Sequence, residues 1–319
     1  MTPVLSEAQL KRLEVHKYSV SGVSVTQRVL QVLWSWLVEK LPMWVAPNLL
    51  TMAGFVLNVV TSLLLICHAP TAKEEAPVWV YMSCALGVFL YQTLDGMDGK
   101  QARRTGILLA VATACATKVG QTPDLLFFMI FLTSFVFYCT HWETYVTGTM
   151  QPGVLPVAAT GLFATVVVTL WKVCGNFRTI LREKTSSGGS LSPGVAILFP
   201  ICVACIIYGT SSSHLFLDHS CLFLLMFGLA IAKVTNKLIV AHITKSEMTL
   251  LDSSMFGPGV LLLSQCCGGV ISEHIVLWAC LIYVTADLAL YCFSVCDQIC
   301  DHLDIYCFSI TSKPSQRRY

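Results

Sequence analysis

The sequence predicts an all-α, polytopic transmembrane helical bundle of about eight spans plus one truncated helix. Three observations predict it. Of 319 residues, 55% are hydrophobic and only 12% are charged, and the mean hydropathy is +0.70. Apolar runs recur at close to the roughly 20 residues needed to cross a bilayer. Lys and Arg fall almost entirely on one side of the resulting count of crossings, as the positive-inside rule requires. The net charge of +2 leaves a nucleic-acid partner no electrostatic footprint. Most of the fifteen Cys lie singly inside apolar runs, where Cys packs as a small hydrophobe. Cys266 and Cys267 are adjacent with only the isolated His274 nearby, which is packing rather than zinc spacing.

Residues 1 to about 23 are polar and carry no cleavable signal, so a cytosolic start is expected. From Ser24 to Leu41, Val25, Val29, Val32, Leu33, Trp36 and Leu37 recur at helical spacing opposite Gln27, Arg28, Gln31 and Glu39. This predicts an amphipathic helix lying in the interface, with Trp34 and Trp44 at headgroup depth. Residues 1–47 thus form a cytosolic N-terminal region, 48–296 the transmembrane domain and 297–319 a cytosolic tail. Pro47-Asn48 opens the first span, Leu49 to about His68. A loop with Lys73-Glu74-Glu75 leads to the second, Val78 to about Leu94. Ile107 to Val119 is apolar but too short to cross. Further spans are expected at Leu125–Val146, Val154–Cys174, Gly194–Thr210, Cys221–His242, Phe256 to about Ser272, and Ile275 to about Cys296, with Gly257-Pro258-Gly259 at a span entrance. Eight crossings place Lys100 and Lys184 in the cytosol and Lys73 in the lumen, with Leu125–Val146 entering from the cytosolic side.

The polar stretch Leu94 to Thr105 closes the second span. Asp95 and Asp98 are three apart and share a helix face. Carboxylates at the mouth of a span are costly unless a cation compensates them. Gly99 and Ala102 keep the same wall low, while Lys100, Arg103 and Arg104 suit phosphate. The plainer reading makes the basic residues membrane anchors and the two Asp helix-end groups. The spacing D-x-x-D-G-x-x-A-R, with Asp95, Asp98, Gly99, Ala102 and Arg103 in register, resembles the first half of the signature of the CDP-alcohol phosphotransferase family. That signature continues x8-G-x3-D-x3-D. Ala46-Pro47-Asn48 with Thr51 and Gly54, Tyr91-Gln92, and His141-Trp142 with Thr144-Tyr145 resemble the family's choline/ethanolamine branch.

The resemblance implies transfer of phosphocholine from CDP-choline, or phosphoethanolamine from CDP-ethanolamine, to diacylglycerol at the cytosolic face of the Golgi or endoplasmic reticulum. It implies Mg²⁺ or Mn²⁺ as cofactor, Asp95 and Asp98 as metal ligands, and Asn48, Gly99, Ala102 and Arg103 as substrate contacts. A homodimer is also implied. The chain departs from the signature where Ala112, Ala116 and Gly120 stand in place of its second-half Gly and its third and fourth Asp. No catalytic base is identifiable. The text reads as a shortened form with internal losses after Thr105 and after Thr149. Ten spans are implied for the family, so the losses orient residues 120–150 oppositely under the eight-crossing count. An alternative is a catalytically inactive shortened membrane protein that partners the intact enzyme. Two further groups stand out. Lys233 and Lys237 share one face of a span with Asn236, which points to a cavity or partner and, in another class, to a transporter. His141, Glu143 and Tyr145 end a span, either lining a cavity or forming an interfacial belt.

Overall fold

Runs so apolar close their backbone hydrogen bonds within helices, because a bilayer offers no water to satisfy them. The computed structural model describes residues 4–16, 34, 36–37, 47–98, 122–149, 171, 173–182, 192–211, 213–249, 252–266 and 271–308. The elements are α1 (Glu7–Val15), α2 (Pro47–His68), α3 (Val78–Asp98), α4 (Pro123–Thr147), α5 (Ser192–Thr210), α6 (Leu215–Asp218), α7 (Ser220–Thr244), a 3₁₀ turn (Ser253–Met255), α8 (Phe256–Cys266) and α9 (Glu273–His302). Among the described residues, five helices are long and apolar enough to cross a membrane, and Val78–Leu94 is a shorter apolar stretch. The chain is an integral membrane helical bundle. The truncated helix Ile107–Val119, nearly all of the interfacial helix and most of Val154–Cys174 lie outside the described residues.

α7 is the hub, packed against α4, α5, α8 and α9. Phe127 and Phe131 of α4 meet Phe223 and Phe227 of α7 in step, so these two helices run parallel. Tyr138 of α4 donates to the Pro193 carbonyl of α5 and Tyr208 of α5 donates to Asp124, so α4 and α5 are antiparallel. α7 and α9 also run parallel: His219 stacks on His274 at one end and Lys233 reaches Asp287 in the middle.

The small helix α1 was not foreseen in the polar N-terminal text. A capping box starts it, with the Ser6 hydroxyl accepting from the Gln9 amide and Gln9 accepting from the Ser6 amide. It clasps one end of the bundle. Leu5 N–H donates to Gln298 Oε1 at 2.8 Å, Arg12 donates to the Lys245 carbonyl at 2.8 Å, and Glu14 meets His302 at 2.9 Å. At the opposite end Lys73 donates to the Leu217 carbonyl. Lys73 and Arg12 therefore stand at opposite ends of α7, as the charge pattern predicts. In the loop before α3, the Thr71 hydroxyl and amide both donate to the Glu74 carboxylate. Burial pushes its pKa up, but these hydrogen bonds outweigh it and hold the carboxyl below its usual range.

The structure corrects the expected topology in one place. α4 begins at the Lys73 end, with Asp124 against Tyr208, and finishes at the α1 end, where the Tyr145 hydroxyl donates to the Ser246 carbonyl. That direction is opposite to the eight-crossing count, and parallel packing on α7 enforces it. α9 has thirty residues and runs from Glu273 to His302, a longer helix than the span expected from Ile275 to about Cys296. The span expected from Phe256 to about Ser272 is helical from its start, as α8. It is described over Phe256–Cys266, and residues 267–270 of the expected span lie outside the described residues.

Candidate functional site

The half motif ends α3, and the α2–α3 hairpin positions it. A Cβ added to Gly87 would lie 2.6 Å from Thr61 Oγ1, and one on Gly54 would lie 3.3 Å from the Tyr91 ring. Small residues thus let the two backbones approach closely. The Asn48 amide donates to the Cys307 carbonyl at 2.8 Å, which fixes the start of α2 beside the end of α9. α3 therefore returns to the α1 end and stays helical through Asp98. Asp95 and Asp98 are three apart on one unbroken helix, a spacing that shares a face. Their side chains, and Gly99, Ala102 and Arg103, lie outside the described residues. Two hard oxygen donors one turn apart suit Mg²⁺ or Mn²⁺. Among the described residues, no three His, Cys, Asp or Glu side chains gather as a metal site.

A second constellation is fully described. α7 ends at Lys245 in a left-handed conformation (φ 47°, ψ 48°), and the chain turns back along α4 without helix. Ser246 accepts from Tyr145, and the Met248 sulfur lies 3.7 Å from the Tyr138 hydroxyl. Tyr138 is seven residues earlier on α4, so this descent covers about 10 Å. Asp252 then precedes the 3₁₀ turn and α8, whose first turn packs at Gly257 against Val284, in the middle of α9. Between the end of α7 and the 3₁₀ turn, the described chain is not helical.

Two lysines hold that break. Lys233 donates to Asp287 Oδ2 at 2.6 Å and stands 3.8 Å from Asp252 Oδ1. Lys237 meets Asp252 Oδ1 at 3.1 Å and donates to Thr249 Oγ1 at 3.3 Å. The Ser253 hydroxyl donates to Asp287 Oδ1 at 3.0 Å, and Ser254 to Asp252 Oδ2 at 2.9 Å. Lys233 is only 3% exposed. It lies eleven residues before the end of α7, about 16 Å along the helix, hence at mid-depth of a bilayer. A cavity of about 560 Å³ opens beside the network between α1, α7 and α9, lined among others by Gln9, Lys237, Thr249, Asp252, Asp287 and Tyr291. Non-helical backbone survives at membrane depth where protein buries it or a cavity hydrates it, and here both conditions hold.

Lys233 and Lys237 do share a face and line a cavity, as their spacing predicts. Sequence reasoning missed their acidic partners. Asp287 is a lone carboxylate inside the apolar run Ile275–Cys296, and that isolation was the available signal. The group at the end of α4 is internal: His141 and Glu143 are buried, and the Tyr145 hydroxyl is taken by Ser246. Trp142 of the same turn packs edge-on against Phe177, with ring centroids 5.6 Å apart. These residues wall the bundle rather than form an interfacial belt.

Relatives with a known reaction match almost the whole chain. Cholinephosphotransferase 1 from Xenopus laevis is 40% identical over 97% of this chain and 91% of its own length. The human protein of the same name is 39% identical over 95% of this chain and 89% of its own length. The chain belongs to the CDP-alcohol phosphotransferase family. A more distant relative from Dictyostelium discoideum, named as a class-I CDP-alcohol phosphatidyltransferase family protein, is 26% identical over 96% of this chain. No protein-family profile matches. The frog alignment runs over 366 positions against 319 residues here, so several dozen positions of this CDP-alcohol phosphotransferase relative face no residue of the chain.

Proposed function

We propose that the chain transfers phosphocholine from CDP-choline to diacylglycerol, giving phosphatidylcholine and CMP. The carrying observation is the similarity of 38 to 40% over nearly the full length to proteins named cholinephosphotransferase. In this reaction the diacylglycerol hydroxyl oxygen bonds to the β-phosphorus. The bond from that phosphorus to the bridging oxygen breaks, CMP leaves, and the hydroxyl proton passes to a base. The residues of this chain that serve it are those of the half motif. Asp95 and Asp98 would hold Mg²⁺ or Mn²⁺, which when bound would neutralise the pyrophosphate and polarise the phosphorus under attack. Gly99 and Ala102 admit the nucleotide close to the helix, and Arg103 contacts phosphate. Asn48, whose amide is engaged by Cys307, serves by fixing the start of α2 and offers its carbonyl oxygen to the nucleotide.

CDP-ethanolamine is the competing donor of the same chemistry. The half motif faces the cytosol of the Golgi or endoplasmic reticulum, where nucleotide-activated headgroups are made, and the enzyme works as a homodimer. Residues 1–47, 48–296 and 297–319 act as its N-terminal region, catalytic domain and tail. With Ala112, Ala116 and Gly120 in place of the signature residues, turnover falls below that of a relative carrying all four carboxylates. The test is phosphatidylcholine formation from labelled CDP-choline and diacylglycerol by membranes containing the chain, with Mg²⁺ or Mn²⁺ and with chelator. The expected result is slow, metal-dependent product that Asp98→Asn removes. Product that is indifferent to metal and to Asp98→Asn, or no product at all, overturns the reading.

A further inference from the structure

We infer that the cavity between α1, α7 and α9 binds a phospholipid with a zwitterionic headgroup, seated beside Lys237, Asp252 and Asp287, with an acyl chain laid along α9. Its described walls come from α1, α7, the segment before α8 and α9, and the inference does not depend on the reaction proposed above.

Charge selects the class of headgroup. Lys233 and Lys237 face Asp252 and Asp287, so the network is balanced. A bare anion entering it leaves one charge uncompensated at membrane depth, which is costly. A zwitterion brings both signs and leaves the balance intact. The reachable groups suit it: the side chains of Lys237, Asp252 and Asp287 are 21%, 13% and 18% exposed, while the Lys233 side chain behind them is 4% exposed. Ser294 and Gln9 add hydrogen-bonding groups at the mouth, and Glu247 adds a carboxylate for an ammonium. A volume of about 560 Å³ falls within the ordinary range for small-ligand sites.

The neighbouring surface selects a lipid over a soluble zwitterion. On the other side of the 3₁₀ turn lies an apolar groove of about 420 Å³, formed by Phe256, Gly257, Val260, Ala279, Cys280 and Tyr283. The two spaces share a wall, because the Tyr283 hydroxyl donates to the backbone carbonyl of Ser253, which lines the cavity. Along α9, Ala279, Cys280 and Tyr283 of the groove are followed one turn later by Asp287 and then Tyr291 of the cavity. A lipid with its headgroup in the polar cavity has its tail directed into the groove. Phe256 and Val260 stand on the exposed side of α8, so the groove opens to the bilayer. A soluble headgroup has no use for it.

The experiment uses the full chain in nanodiscs with a phosphatidylcholine bearing a diazirine in one acyl chain. Crosslinks are mapped on the unmodified chain and on two variants: Lys237→Gln, at the accessible edge of the network, and Val260→Trp, which fills the groove without touching a charge. Crosslinks are expected to concentrate at residues 256–260 and 279–283, and to fall about ten-fold in either variant, the loss of one good contact. Unlabelled zwitterionic lipid should compete at about ten-fold lower concentration than anionic phosphatidylglycerol. Crosslinks spread evenly onto other exposed apolar residues such as Leu63 and Leu86 mean annular lipid only and overturn the inference. Equal competition by the anionic lipid overturns the headgroup assignment. Displacement by soluble glycerophosphocholine, with crosslinking unchanged by Val260→Trp, overturns the lipid in favour of a free headgroup.

Discussion

Lys233 carries its charge at mid-depth because two carboxylates and a serine surround it. Removing one partner of a buried pair leaves the other uncompensated, which typically costs about 3 to 5 kcal/mol. Asp287→Asn is expected to lower thermal stability in detergent by that order. The joint change Lys233→Met with Asp287→Leu should recover much of the loss, because the charge to be buried is gone. Circular dichroism melting of both variants checks this, and equal loss in single and double variants would show that packing rather than charge matters. The sequence betrayed the two lysines, since basic residues inside an apolar run are conspicuous. It hid Asp252 in what read as a loop between spans. At the opposite end, burial and the adjacent His274 push the His219 pKa below its usual value, and Asp218 only partly opposes them. The folded state then binds fewer protons than the unfolded one. The stabilising effect of neutral His219 is full above the ordinary pKa near 6.5 and is lost as pH falls through the depressed folded value. Amide protection factors around residues 213–220, with the intrinsic pH dependence of exchange divided out, are expected to fall on acidification below pH 6.5, and unchanged or rising protection would contradict the sign. His219→Gln should flatten that response.

Helix existence was legible from hydropathy alone for α2, α4, α5, α7 and α9, because each carries a window apolar enough to span. Helix pairing was not, since packing in a membrane depends on small residues and polar contacts rather than on apolar surface. Gly87 illustrates the point. Nothing in the run Val78–Leu94 singles it out, yet an added Cβ would meet Thr61 at 2.6 Å. Gly87→Ala is expected to destabilise by about 1 to 3 kcal/mol, the usual cost of overpacking. It should also weaken whatever transferase activity the half motif supports, because α2 positions α3. Thr61→Ala in the same chain should restore both. Stability without rescue would mean that the hairpin yields elsewhere. The α8 region escaped for a different reason. Composition does not reveal that the chain leading into this helix runs back along α4 without helix. Gly257-Pro258-Gly259 was read as the entrance to a span, and it is the first turn of α8, where Pro costs no hydrogen bond. Only the depth of that entrance was invisible.

Across the whole molecule, the parallel pair α7 and α9 requires the chain between them to return from the α1 end to the far end. Residues 246–249, Asp252 and α8 lie on that return. The half motif, the mouth of the cavity and the α1 clasp then all stand at one end of the bundle. The motif was the most readable part of the chain, because D-x-x-D-G-x-x-A-R combines chemistry with spacing. The cavity was the least readable, since its walls come from the N-terminus, from α7, from the segment before α8 and from α9. This return also bears on biosynthesis. A translocon decides insertion from the apolar content of successive segments, and here it meets a stretch that opens with the polar Ser246, Glu247, Thr249 and Asp252 ahead of α8. On its own, the segment 246–272 is expected to slip past the lateral gate. With α7 preceding it, Lys233 and Lys237 can capture Asp252 and hold the segment until α9 supplies Asp287. A reporter with a glycosylation acceptor after residue 272 measures this directly. Insertion should be poor from the segment alone, and efficient when α7 and α9 flank it. It should fall again when Asp252 and Asp287 are both changed to Asn. Complete insertion of the isolated segment would show that assembly needs no such escort, and that the ion pairs form only after the helices are already in the bilayer.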